Sequence, residues 1–114
     1  MQALVEEALA PIGATISYDG FACEGSVVDG AEPVVSVLGD AYARLHGERP
    51  ELRATTATTD ARHFVRAGIP AICFGARGER MHGIDERVSL RSVTETAQVL
   101  GLFIRDWCGF SARG

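Results

Sequence analysis

Residues 58–88 read TTDARHFVRAGIPAICFGARGERMHGIDERV, and the fold turns on how this stretch is parsed. Asp60 to Ala67 fits a short helix, with Thr59 as its N-cap, Asp60 in its first turn and Gly68 as its stop. Ile69-Pro70-Ala71-Ile72-Cys73-Phe74 is an apolar run between Gly68 and Gly75. Its length and its flanking glycines predict a strand buried on both faces, with Cys73 enclosed and inert. The chain then turns polar, and His82 falls in that loop with Asp85 and Glu86 three and four residues further on. In open α/β sheets ligands collect where loops leave the carboxyl ends of strands, so a histidine here is placed for chemistry.

Working outward, ELRATTAT (residues 51–58) reads as a strand that delivers Thr59 and Asp60 to the helix. Before it, Pro33 opens a helix in which Val34, Val37, Leu38, Ala41 and Leu45 recur at helical spacing, and Gly47 ends it. After it, Ser92 and Glu95 have capping-box spacing for a helix running to about Cys108. Val93, Ala97, Leu100, Ile104 and Trp107, widened by Val99 and Phe103, predict the face that packs on the sheet. At the N-terminus, residues 2–10 form an apolar helical stripe ended by Pro11 and Gly13. Thr15, Ile16, Tyr18, Phe21 and Ala22 then suggest one half-buried strand, bent at Gly20. The tail GFSARG has no periodicity and is expected to fray. The expected fold is therefore α/β: a small, mostly parallel sheet flanked by helices, with an N-terminal helix-strand appendage over residues 1–29 and the main body over 30–114.

The bulk properties narrow the function. A chain of 114 residues fits one modest core, and 46% hydrophobic with 23% charged residues is a globular balance. A net charge of -4 leaves no basic stripe for nucleic acid or an anionic membrane surface. No apolar run reaches the length of a membrane span, and the acidic N-terminus is not a secretory signal. Three cysteines, far apart and without a C-x-x-C pair, read as reduced thiols of a cytoplasmic protein.

The order TDARHF, GIPAICFG, MHGIDERV resembles the C-terminal end of the zinc-dependent amidohydrolases, the family of acetylornithine deacetylase, succinyl-diaminopimelate desuccinylase and aminoacylase. The likeness extends over nearly the whole chain, and its specific part is Thr59 to Val88. It implies that His82 ligates one of two active-site metals, zinc or cobalt. It also implies that Asp60 and Arg62 lie at the site's edge, with the arginine meeting a substrate carboxylate. On the same basis residues 1–29 are the remnant of a lid domain, which commonly makes the dimer contact, and 30–114 are the C-terminal portion of a catalytic domain.

The residues themselves leave plainer readings open. His82 could be a loop histidine in water; as a ligand it would need Asp85 or a backbone carbonyl to fix its tautomer. Arg62 could pair locally with Asp60 or Glu86 instead of a substrate. Gly75 and Gly78 flank a turn whose N–H groups could face an oxyanion, or simply a strand-to-loop turn. His46 and His63 read as solvated or structural, and Glu86 as a local hydrogen-bonding partner.

A hydrolytic zinc site needs at least three protein ligands. The chain has no H-x-D, no H-E-x-x-H and no paired glutamates near a histidine, and it offers no catalytic residue of its own. The expectation is thus a fragment of a metal-dependent deacylase of N-acyl amino acids or peptides, inactive alone and holding no metal tightly. It is expected to be a homodimer. The competing expectation is a non-catalytic, self-associating interaction module derived from such an enzyme.

Overall fold

Two helices that bury a shared apolar seam carry the structure. The computed structural model describes residues 2–20 and 23–111. Along the chain come α1 (Gln2–Leu9), a single 3-10 turn (Ala10–Ile12), α2 (Pro33–His46), α3 (Ala61–Arg66), β1 (Gly78–Glu79), β2 (Arg87–Val88) and α4 (Leu90–Cys108). Proline at the first turn of α2 supplies a pre-set φ where no N–H partner is needed. Gly47 stops α2 in the left-handed region at φ 81°, and its N–H donates to the Ala43 carbonyl. Gly13 ends the N-terminal helical segment in the same way, at φ 64°.

The core lies between α2 and α4. Leu38, Ala41 and Val99 are buried, the last two with no exposed surface, and Tyr42, Ile72, Phe74, Leu102 and Phe103 pack around them. Arg44 Nη1 reaches Asp106 Oδ2 at 2.6 Å and ties the two helices at one end. Tyr42 meets Phe74 edge-on, with ring centroids 6.1 Å apart, and this anchors the segment that leads into the hairpin.

The sheet differs from expectation. Among the described residues the only ladder is antiparallel, β1 with β2, in the register Gly78↔Val88 and Glu79↔Arg87. The runs expected as strands, 51–58, 69–74 and the described part of 14–29, form no ladder. A strand persists only when its N–H and C=O groups are paired by neighbours, and a strand buried on both faces needs cover on both. Here α2 and α4 cover one side alone. Ile72 and Phe74 turn toward them and are half-buried, while Cys73 between them is exposed, so a period of two survives without a sheet. Among the described residues the parallel sheet is therefore replaced by one short hairpin. The N-terminal segment folds back on α1 through Tyr18 Oη, which donates to the Gln2 carbonyl at 3.1 Å. Phe21 and Ala22, expected in a strand there, and residues 112–114 of the tail lie outside the described residues.

Two helix starts also shift. The N-cap of α4 is Ser89, whose Oγ accepts from the Ser92 N–H at 3.3 Å, three residues ahead of the Ser92 cap predicted by the pattern. Ser92 is buried instead; its Oγ accepts from the Arg77 N–H at 2.9 Å and donates to the Ser89 carbonyl at 2.8 Å. Asp60, not Thr59, stands at the N-cap position of α3, and it makes no side-chain cap bond.

The face of α4 is the third correction. Val99, Ser92, Leu102 and Phe103 turn inward. Val93, Leu100, Ile104 and Trp107, the predicted core stripe, are exposed. The total exposed surface is 9352 Å², against about 6,000 Å² for a self-contained folded chain of 12.1 kDa. The radius of gyration is 19.5 Å, where about 13 Å is usual for this length. No helix among the described residues is long and apolar enough to cross a membrane.

Candidate functional site

The hairpin builds the site's most exposed feature. Its strands are locked by Arg87, whose Nε and Nη2 both bind Glu79 Oε2, the former at 2.7 Å. The Ser89 N–H donates to the Arg77 carbonyl at 3.1 Å and closes its base. Between the strands, residues 80–86 form a tight polar turn. Arg80, His82 and Asp85 sit in the left-handed region at φ 57°, 61° and 62°. For residues with a Cβ this conformation costs on the order of 1 kcal/mol each. Gly83 accommodates the bend: a Cβ there would stand 3.1 Å from the Arg80 carbonyl oxygen. Asp85 faces Arg80 at 3.7 Å, so its near partner is that guanidinium. His82 is thereby held out into solvent at the tip of a constrained turn, flanked by exposed Met81 and Ile84.

Arg62 Nη1 stands 3.9 Å from Asp60 Oδ1, the local pairing that the residues themselves leave open. Their environments differ sharply: the Arg62 side chain is 16% exposed and that of Asp60 is 92% exposed. Arg62 Nη1 also donates to the Thr59 carbonyl at 2.7 Å, so the guanidinium is braced against its own helix start. Thr59 Oγ1 accepts from Cys73 Sγ at 3.2 Å, which sets the beginning of α3 beside the segment leading to the hairpin. Cys73 is exposed, contrary to its expected burial, because its neighbours and not its own side chain face the core.

The remaining polar candidates take structural positions. Gly78 is paired in β1 instead of framing an open nest. His63 is an exposed residue of α3, and His46 stacks on Tyr42 with ring centroids 4.0 Å apart. A cavity of about 180 Å³ opens beside that stack, lined in part by Phe74, Arg77, Ser92 and Glu95. Arg91 hydrogen-bonds Glu95 and holds its carboxyl below the usual range, aided by the charges of Arg91, His46 and Arg77. Sequence reading places Glu95 in a helix cap and does not single out Arg77; only tertiary packing joins them.

A metal tests the donor set. A hydrolytic zinc centre needs three protein ligands around an open position. Among the described residues no group of three or more His, Cys, Asp or Glu side chains gathers closely enough to hold an ion. His82 offers one imidazole, and the acid nearest it in sequence, Asp85, faces Arg80. The described residues do not make a metal centre by themselves.

A family model described as Peptidase family M20/M25/M40 matches residues 6–106, nearly the whole chain. No solved structure matches it.

Proposed function

Because the chain belongs to peptidase family M20/M25/M40, we propose that it supplies part of the site of a metal-dependent amidohydrolase acting on N-acyl amino acids, in the manner of acetylornithine deacetylase. In this reading His82 is one donor to a zinc or cobalt ion, and Arg62, with Asp60 beside it, receives the carboxylate of the substrate. The other donors and the general base belong to polypeptide outside these 114 residues. Residues 1–29 derive from the lid and 30–114 from the catalytic domain. The chain alone is inactive, and it is cytoplasmic.

The observation that carries this reading is the hairpin turn. Backbone strain is concentrated around His82 in a loop that buries nothing, and its two strands are braced by Glu79 and Arg87. A solvated histidine without a task would not require a turn with three non-glycine residues at positive φ. A half-buried Arg62, pre-oriented by the Thr59 carbonyl, suits bidentate capture of a carboxylate.

Complementation tests the reading. The chain is mixed with the N-terminal portion of a family enzyme that carries the remaining metal donors, and hydrolysis of N-acetyl amino acids is followed with zinc present. The expected result is turnover that falls at least ~100-fold with His82→Ala, while Arg62→Ala raises KM more than it lowers kcat. Turnover indifferent to His82 would overturn it.

A second reading is favoured by the uncovered apolar surface. In it the chain is a self-associating module without catalysis, and His82 has no metal to meet. Restored, His82-dependent hydrolysis would exclude that alternative.

A further inference from the structure

The two ends of the hairpin stand in different settings. Its tip carries His82 into solvent, while Arg77 at its base helps to line the cavity of about 180 Å³ beside α2 and α4. That volume holds roughly six waters at their share of the liquid. Part of the lining is carbon-rich: Pro50, Phe74 and Tyr42, whose ring is 4.0 Å from that of His46 and 6.1 Å from that of Phe74. The polar part is Arg77, Glu95 and Thr96.

Arg77 is anchored through its backbone. Its N–H donates to the buried Ser92 Oγ at 2.9 Å, and its carbonyl accepts from the Ser89 N–H at 3.1 Å. The side chain therefore leaves from a point pinned to the start of α4. Among the described residues its guanidinium makes no ion pair and no hydrogen bond. Glu95 accepts from Arg91 Nε through Oε1 alone, at 2.7 Å, and Oε2 takes no hydrogen bond among the described residues. The Arg91 hydrogen bond is the first cause that holds the Glu95 carboxyl below its usual range, and the charge of Arg77 is a smaller one. The two opposite charges thus sense each other across the cavity without an ion pair between them.

Small-molecule sites are built from apolar lining and a few placed polar groups. A plain anion here would meet the Glu95 carboxylate, and a plain cation would meet Arg77, each a like-charge contact that costs affinity. A ligand bearing both charges meets neither penalty. We propose that this cavity binds a free α-amino acid with a small apolar side chain, of the size of valine. Arg77 grips the carboxylate as a two-pronged donor. Glu95 Oε2 and the Thr96 hydroxyl accept from the ammonium group, and the side chain rests against Tyr42 and Phe74. The site is at the far end of the hairpin from His82, and it stands whether or not that histidine meets a metal.

The test is titration of the full chain with L-valine, followed by the backbone amide shifts in NMR spectra. The expected result is a saturable one-to-one response centred on Arg77, Glu95 and Thr96, with a dissociation constant at or below about 1 mM. That constant should rise at least ~10-fold in Arg77→Leu and in Glu95→Gln, and stay unchanged in His82→Ala. In the unaltered chain, valinamide, which lacks the carboxylate, and isovalerate, which lacks the ammonium, should each bind at least ~10-fold more weakly than valine. No saturable response up to about 50 mM valine overturns the proposal. So does a response centred on Arg62 and His82, or either analogue binding less than ~10-fold more weakly. The analogues need no substitution, so they decide even where a variant fails to fold.

Discussion

Single side chains show how far identity and position diverge. Cys73 lies in the most apolar run of the chain, and its side chain is nevertheless exposed. Hydropathy of a run averages over both sides of an extended segment, and only the side covered by α2 and α4 is withdrawn from water. In a Cys23→Ser/Cys108→Ser chain, Cys73 should react with an aromatic disulfide reagent at the rate of an open thiol, without denaturant; protection by a factor of ~100 or more would return it to the interior. Asp106 gives a second expectation. Arg105 hydrogen-bonds its carboxylate and, with Arg44 across from α2, holds its pKa below the ordinary value. A carboxyl depressed in the folded state stabilises above its unfolded value, about 4, and the benefit is lost as pH falls through the folded value. The melting temperature should therefore fall on acidification below about pH 4, and fall less in Asp106→Asn. A residual drop remains, since Arg53 and Arg91 hold Glu51 and Glu95 low in the same way. Equal acid sensitivity in both proteins would remove Asp106 from the account.

Among the elements, helices were legible and strands were not. Pro33, Gly47 and Gly13 punctuate the chain where the helical segments begin and end, because φ preferences act locally. Strands depend on partners elsewhere, and nothing local to residues 51–58 or 69–74 reveals that those partners are missing. The hairpin was unread for the opposite reason. Its strands are two residues each, and its turn is built from Arg80, His82 and Asp85 at positive φ, without an Asn-Gly or Asp-Gly signature. The polar loop holding His82 was nonetheless evident from composition alone. The sequence locates α4 but does not show which side packs inward, since both of its sides carry apolar residues and periodicity does not rank them. Its cap gives a clean check. Ser89→Ala should destabilise the chain by about 1 kcal/mol, measured by urea unfolding, whereas Glu95→Ala should cost no more than about 0.5 kcal/mol, the worth of an exposed i,i+4 pair with Arg91. The reverse order would restore the cap to Ser92 and Glu95.

For the molecule as a whole, a small core between two helices leaves much of the apolar surface uncovered, and among the described residues no three donors gather for a metal. The number of histidines is plain in the sequence; how much apolar surface stays open depends on tertiary packing and is not. The central claim is that His82 is a single donor to a centre completed elsewhere. Calorimetric titration of the chain with zinc measures this directly. The account predicts no saturable site at or below about micromolar zinc. A one-to-one site of micromolar or tighter affinity would contradict it.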